Sequence, residues 1–173
     1  DFLKLRDPFP IACLLVDLQM PEMDGIQVQN EVRERDWNLP TIFMSAHGTI
    51  PIVVKAMKQG GVDFIEKPLN EENVLAAVDR ALELSLQRHH QRTETEAARK
   101  KLRSLTERES EVLELLVQGF LNKQIASDLG ICERTVKMHR SRVLTKMGVD
   151  AVPLLVPIVL AAGDAADVHR KAS

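Results

Sequence analysis

Aromatic side chains are scarce in this 173-residue sequence, with five Phe, one Trp and no Tyr, or 3% of the chain. That scarcity argues against a single-strand nucleic-acid binder built on stacked rings. Cysteine is nearly absent as well. Cys13 and Cys132 lie far apart and fit no zinc-ligand spacing, so both read as reduced thiols of a cytoplasmic protein rather than as a disulfide. Long apolar runs are missing. The greasiest stretch, Ala151 to Ala162, is too short for a membrane span and contains Pro153 and Pro157. No basic segment followed by an apolar core opens the sequence, so neither a secretory signal nor a membrane partner is expected.

What is present fits two small domains, with 45% hydrophobic and 28% charged residues. The net charge of -2 conceals an asymmetry. Residues 1–90 carry nine Lys/Arg against fourteen Asp/Glu, about -5, whereas residues 97–150 carry eleven against seven, about +4. A polyanion is expected to meet the second half.

The first half alternates short apolar runs with helical patterns, as βα units around a parallel sheet do. Ile11 to Val16 reads as a strand buried on both faces and ending at Asp17. Asp24-Gly25 opens a helix to about Arg35, with Ile26, Val28 and Val32 facing inward. Pro40 leads into a strand, Thr41 to Met44, followed by Ser45-Ala-His-Gly48. Thr49 is the expected cap of the next helix, Pro51 suits its first turn, and Gly60-Gly61 ends it. A third strand, Val62 to Ile65, runs into Glu66-Lys67-Pro68. Asn70 caps a long helix whose Val74, Val78, Leu82 and Leu86 recur every four residues. Residues 87–104, polar and rich in charge, read as a solvated helical linker. Its His89-His90 pair has no further ligand at metal-site spacing.

The second half reads as helices. Thr106-Glu-Arg-Glu109 has capping-box form, and Gly119 ends the helix it starts. Asn122 is the expected cap of a short helix closed by Gly130, and a third helix runs from Glu133 to Met147 before Gly148. Two helices around a tight Gly turn make a helix-turn-helix. On the third helix Val136, Val143 and Met147 share an inward face. Arg134, Lys137, Met138, Ser141, Arg142 and Thr145 lie opposite, a set suited to guanine edges, thymine methyls and phosphates. Arg134 to Lys146 carries five Lys/Arg and no acid.

Leu105-Thr-Glu-Arg-Glu109, Asn122-Lys-Gln-Ile-Ala126, Thr135-Val-Lys-Met-His139 and Lys146-Met-Gly148 together resemble the LuxR-type helix-turn-helix of NarL/FixJ response regulators, over residues 105–163. The resemblance implies double-stranded DNA as partner, with Lys137, Met138 and Ser141 toward the bases; Arg134 and Thr135 are also counted among the expected DNA-binding residues. It places Thr106, Asn122, Lys123, Arg142 and Lys146 on the DNA backbone, and makes the last helix a homodimer contact. RNA polymerase is a further partner of such a regulator. Two departures stand out. Cys132 replaces the usual Ser or Thr cap, and Pro157 falls within the expected dimerisation helix, where an interior proline costs about 3 kcal/mol.

Asp17, Ser45 and Lys67 each end a strand of the first half, and strand ends are where parallel α/β sheets place their chemistry. A carboxylate nucleophile flanked by a hydroxyl and an ammonium makes a phosphoryl-accepting set. Val16-Asp17, Met20-Pro-Glu-Met-Asp-Gly25, Ser45-Ala-His-Gly48 and Asp63-Phe-Ile-Glu-Lys-Pro68 resemble the receiver domain of the same regulators. The resemblance implies a flavodoxin-like α/β fold and phosphorylation of Asp17 by a sensor histidine kinase with Mg2+. It makes Ser45 the switch hydroxyl, Phe64 the aromatic that moves with it, Lys67 the phosphoryl partner and the bond before Pro68 cis. The first strands and helices of such a domain, with the acidic pair that holds Mg2+, have no counterpart here, and neither Asp1 nor Asp7 follows a buried strand. Asp17 is left as a thin Mg2+ site.

The expectation is therefore a partial receiver over 1–86, a linker over 87–104, a DNA-binding domain over 105–163 and a disordered tail over 164–173. The function expected is a two-component transcriptional regulator. The alternative is a degenerate receiver serving as a protein-interaction surface beside a phosphorylation-independent DNA-binding module. Enzyme activity is not expected, since phosphohydrolases with a strand-end Asp nucleophile want a second Asp where Gln19 stands.

Overall fold

The computed structural model describes residues 10–46 and 48–163. Expectations placed on residues 1–9, His47 and 164–173 lie outside the described residues. The chain divides into two compact units, Asp1–Gln91 and Arg92–Ser173.

The first unit is built on a parallel sheet in the order β1 (Leu14–Asp17), β2 (Thr41–Ser45), β3 (Gly61–Glu66). Parallel neighbours need long crossovers, and helices α1 (Gly25–Glu34) and α2 (Ile50–Lys58) supply them. One face of the sheet carries Val16 and Phe43, which cluster with Val28 and Val32 of α1 and Ala56 of α2. The other carries Ile42 and Ile65 against Ala77 and Ala81 of α3 (Glu71–Arg103). Burial of a side chain the size of Phe43 or Ile42 stabilises by about 1.5–3 kcal/mol.

Several expectations shift. β1 begins at Leu14 rather than Ile11. Its register sets Leu14 opposite Thr41, with the Leu14 N–H donating to the carbonyl of Pro40, and Pro40 has no N–H to extend the ladder. Ala12 N–H instead donates to Ser85 Oγ at 3.1 Å. The strand is not buried on both faces, because Leu15, on the α3 side, is 37% exposed. Along α3 the inward stripe is Ala77, Ala81 and Ser85, while Val74 and Val78 flank it and Leu86 is exposed. Small side chains let the helix backbone approach the sheet, and the larger residues pack beside that line. Thr49 occupies the cap position of α2 without a side-chain cap bond, whereas Asp24 and Gln27 form a full capping box on α1. Asn70 Oδ1 accepts from Asn73 N–H as expected.

The linker expected over 87–104 is the second half of α3, which runs unbroken through 33 residues without a Gly or Pro. In the second unit its Ala98 is buried, and Arg99 Nε donates to the carbonyl of Ala162 at 3.0 Å. Helices α4 (Glu107–Val117), α5 (Asn122–Asp128), α6 (Glu133–Met147) and α7 (Leu155–Ala161) enclose one core of Val112, Leu113, Leu116, Ile125, Val136, Val143, Met147 and Leu155. Leu121, not Asn122, caps α5, with its N–H donating to Gln124 Oε1 at 2.8 Å. Pro157 is not an interior proline. It is the third residue of α7, after a 3-10 turn at Val152–Leu154, and the first-turn N–H groups of a helix lack intrahelical partners anyway. The helix starts where the proline is tolerated.

The start of α1 touches the end of β1. A Cβ on Gly25 would stand 2.6 Å from the carbonyl oxygen of Asp17. Gly25→Ala is expected to destabilise the first unit by about 1–3 kcal/mol. Urea unfolding followed by the fluorescence of Trp37, the only tryptophan, checks this; an unchanged midpoint would contradict the close approach.

Candidate functional site

The sheet register decides the first site. Asp17 pairs with Met44, Met44 with Ile65 and Ser45 with Glu66, so Asp17, Ser45 and Lys67 emerge at the same, carboxyl edge of three adjacent strands. Lys67 Nζ donates to Asp17 Oδ2, and the N–H of Gln19 donates to Asp17 Oδ1 at 3.0 Å. The Lys67 ammonium first, and the Gln19 amide second, hold the Asp17 carboxyl below its ordinary range. Asp17 is therefore an anion at neutral pH. Ser45 is buried, and its carbonyl accepts the Lys67 N–H at 2.8 Å, which ties β2 to the residue that reaches Asp17. Phe64 is half-buried with its ring against Gly48, where a Cβ would lie 2.9 Å from Cε1. The Lys67–Pro68 bond is cis, as expected.

The resemblance to receiver domains implies Mg2+ beside Asp17. No cluster of three or more His, Cys, Asp or Glu that could hold a metal ion occurs among the described residues. Both oxygens of Asp17 already accept hydrogen bonds, one from a cation. These residues do not fit a resident Mg2+, which demands near-octahedral oxygen ligation.

The second site lies on α6. Val136, Val143 and Met147 are fully buried, which turns Arg134, Lys137, Met138, Ser141, Arg142 and Thr145 outward, and all six are exposed. Gly130, at φ 64°, makes the left-handed turn between α5 and α6. Cys132 caps α6 without a side-chain bond to its backbone; its Sγ lies 3.2 Å from Thr135 Oγ1. Thr106, Glu109, Ser141, Arg142, Thr145 and Lys146 line an open depression of about 450 Å³. Three residues expected on the DNA backbone, Thr106, Arg142 and Lys146, thus converge. Lys123 is exposed on α5, while Asn122 Oδ1 accepts from Arg140 Nη1 at 3.3 Å.

The family models for the response regulator receiver domain and for the luxR family of bacterial regulatory proteins match residues 1–79 and 103–156. The response regulator TmoT of Ectopseudomonas mendocina is 44% identical over 147 residues, 85% of this chain and 67% of that protein. The transcriptional regulatory protein FixJ of Rhizobium meliloti is 40% identical over 94% of this chain and 79% of its own length. The solved structure of the response regulator StyR superposes with a TM-score of 0.82 at 40% identity, over 92% of this chain and 80% of StyR. The chain belongs to the NarL/FixJ response regulators. It spans 65% of the length of its relative TodT from Pseudomonas putida. This response regulator thus pairs a receiver-type parallel sheet with a LuxR-type helix-turn-helix, the architecture of two-component transcriptional regulators.

Two residues of the regulator do work that the sequence reading did not assign. Arg140, counted there as one more positive charge, bridges α6 to Asn122 of α5. Glu109, read as a capping residue, also pairs with Lys146 Nζ at 2.6 Å while its side chain is only 3% exposed. The i+37 separation of that pair leaves no local signal. The Lys146 ammonium, helped by the Thr106 N–H, pulls the Glu109 carboxyl from its ordinary 4.5 down to about 2. A depressed folded value contributes stability that is complete above pH 4.5 and is lost as pH falls toward 2. The Glu109 carboxyl carbon is expected to titrate near 2 by NMR, and Lys146→Met should raise that midpoint. A midpoint near 4.5 in the parent would refute the pairing.

Proposed function

We propose that this response regulator is switched by a phosphoryl group on Asp17 and reads double-stranded DNA through α6. The observation that carries the first half is the convergence of Asp17, Ser45 and Lys67 on one sheet edge, with the Lys67 ammonium already on the carboxylate. The donor is a phosphohistidine of a sensor kinase. An Asp17 carboxylate oxygen attacks phosphorus, the P–N bond breaks, and the electron pair leaves with the imidazole. Lys67 offsets the charge of the phosphoryl oxygens, as a fixed cation does in other phosphoryl transfers. Ser45 supplies a hydroxyl to the same oxygens, with Phe64 moving beside it.

For the second half, Lys137, Met138 and Ser141 face base edges, with Arg134 and Thr135 beside them. Thr106, Lys123, Asn122 and Arg142 meet phosphates. Exposed Leu154, Val156 and Leu160 around α7 support a homodimer on a two-fold-related site. The setting is cytoplasmic.

Intact mass after incubation with acetyl phosphate and MgCl2 tests the switch. A phosphoryl adduct is expected on the parent and not on Asp17→Asn. No adduct on folded parent would favour a receiver used only as an interaction surface. For the DNA face, Lys137→Ala is expected to relax selectivity at one base position by about 1–3 kcal/mol in a selection from random duplexes. An unchanged consensus would remove Lys137 from the base-reading set.

A further inference from the structure

The positive charge of Lys146 invites a phosphate, yet its ammonium is already engaged twice within the fold. Lys146 Nζ donates to Glu109 Oε2 at 2.6 Å and to the carbonyl of Ser104 at 2.8 Å. The same Glu109 oxygen accepts the N–H of Thr106 at 2.9 Å, and Thr106 Oγ1 accepts the N–H of Glu109 at 3.4 Å. Four residues thus link the segment before α4, the first turn of α4 and the last turn of α6. The carboxylate at the centre is nearly fully buried, so losing its cation would strand a desolvated charge. At the opposite end of α6, Cys132 makes no side-chain cap bond. In between, Arg140 fastens α6 to Asn122 of α5. The outward residues Lys137, Met138, Ser141 and Arg142 all lie within the ten residues before Lys146, so the angle at which α6 meets α4 sets where they point.

We propose that Glu109 is a positioning residue for DNA recognition, acting through Lys146, which clamps the end of α6 to α4 instead of neutralising a DNA phosphate. The proposal rests on the reading that α6 faces DNA. It has a consequence that simple charge counting reverses. Removing an acid beside a DNA-binding surface should tighten binding to a polyanion, whereas removing a clamp should weaken it.

The test uses the full chain and a 20-base-pair random-sequence duplex titrated across a salt series. Glu109→Gln is expected to weaken binding about tenfold, with the slope of log K against log salt unchanged. Lys146→Met is expected to do the same, also without a change of slope, and Lys146→Arg to restore affinity. The double variant is expected to be no worse than the weaker single one. Far-UV circular dichroism at the assay temperature confirms that the variants are folded. If Lys146→Met instead lowers the slope by about 0.9, the loss of one phosphate contact, while Glu109→Gln binds as tightly as the parent or tighter, the proposal is overturned. Should the variants fail to fold, the parent alone decides. The NMR shift of the Glu109 carboxyl carbon stays fixed on adding duplex if the clamp persists, and moves if Lys146 turns to a phosphate. A parent that binds no duplex would overturn the DNA reading itself, whereas a parent that binds with a mobile Glu109 signal overturns only the clamp.

Discussion

Parallel pairing is the constraint on which the receiver-type unit depends. Strands running the same way cannot be joined by tight turns, so each connection must cross the sheet and return, and α1 and α2 are those returns. Those two helices cover one sheet face and α3 covers the other, which is why Phe43 and Ile42, neighbours in sequence, are both fully buried in different clusters. The same pairing sends all three carboxyl ends to one edge. Asp17 and Lys67 are 50 residues apart in sequence, yet meet because β1 and β3 flank one strand in matched register. A one-residue slip of β3 would turn its side chains to the opposite face and break that meeting. Gly25 belongs to this geometry too, since only a residue without a Cβ lets α1 begin so close to the Asp17 carbonyl.

The helix-turn-helix unit obeys a different rule. Its order comes from one core of aliphatic side chains contributed by four helices, and the outward face of α6 is what remains once Val136, Val143 and Met147 are buried. A helix anchored along one stripe is still free to pivot about it. Polar links limit that freedom, with Arg140 reaching α5 and Lys146 reaching Glu109. Two of the five basic residues of Arg134 to Lys146 are therefore spent on internal order, and Arg134, Lys137 and Arg142 are left as outward charge. Net charge steers a protein toward a polyanion, but only geometry says which cations arrive unpaired.

Much was legible in the residues. Helix α6 runs from Glu133 to Met147 between Cys132 and Gly148 as its period and flanking residues indicate, and the Thr106–Glu109 capping box is formed. Those features are local, settled by i, i+3 and i+4 neighbours and by the glycine's tolerance of a left-handed backbone. Two of the misreadings depended on neighbours distant in sequence, and a third on where a helix begins. The start of β1 is set by Pro40 on the next strand, and the inward stripe of α3 by how closely a helix can approach a sheet. Pro157 looked disruptive because the start of α7 could not be placed without the 3-10 turn before it.

The sequence by itself determined the two kinds of unit, the strand ends that carry Asp17, Ser45 and Lys67, and the outward face of α6, because periodicity and capping act over a few residues. Only the tertiary structure decided that Lys67 lies on Asp17, that Lys146 is held by a buried Glu109, and that α3 continues without a break into the second unit. Charge pairs of that kind are chosen by distance in space, and no local pattern encodes a separation of 37 or 50 residues.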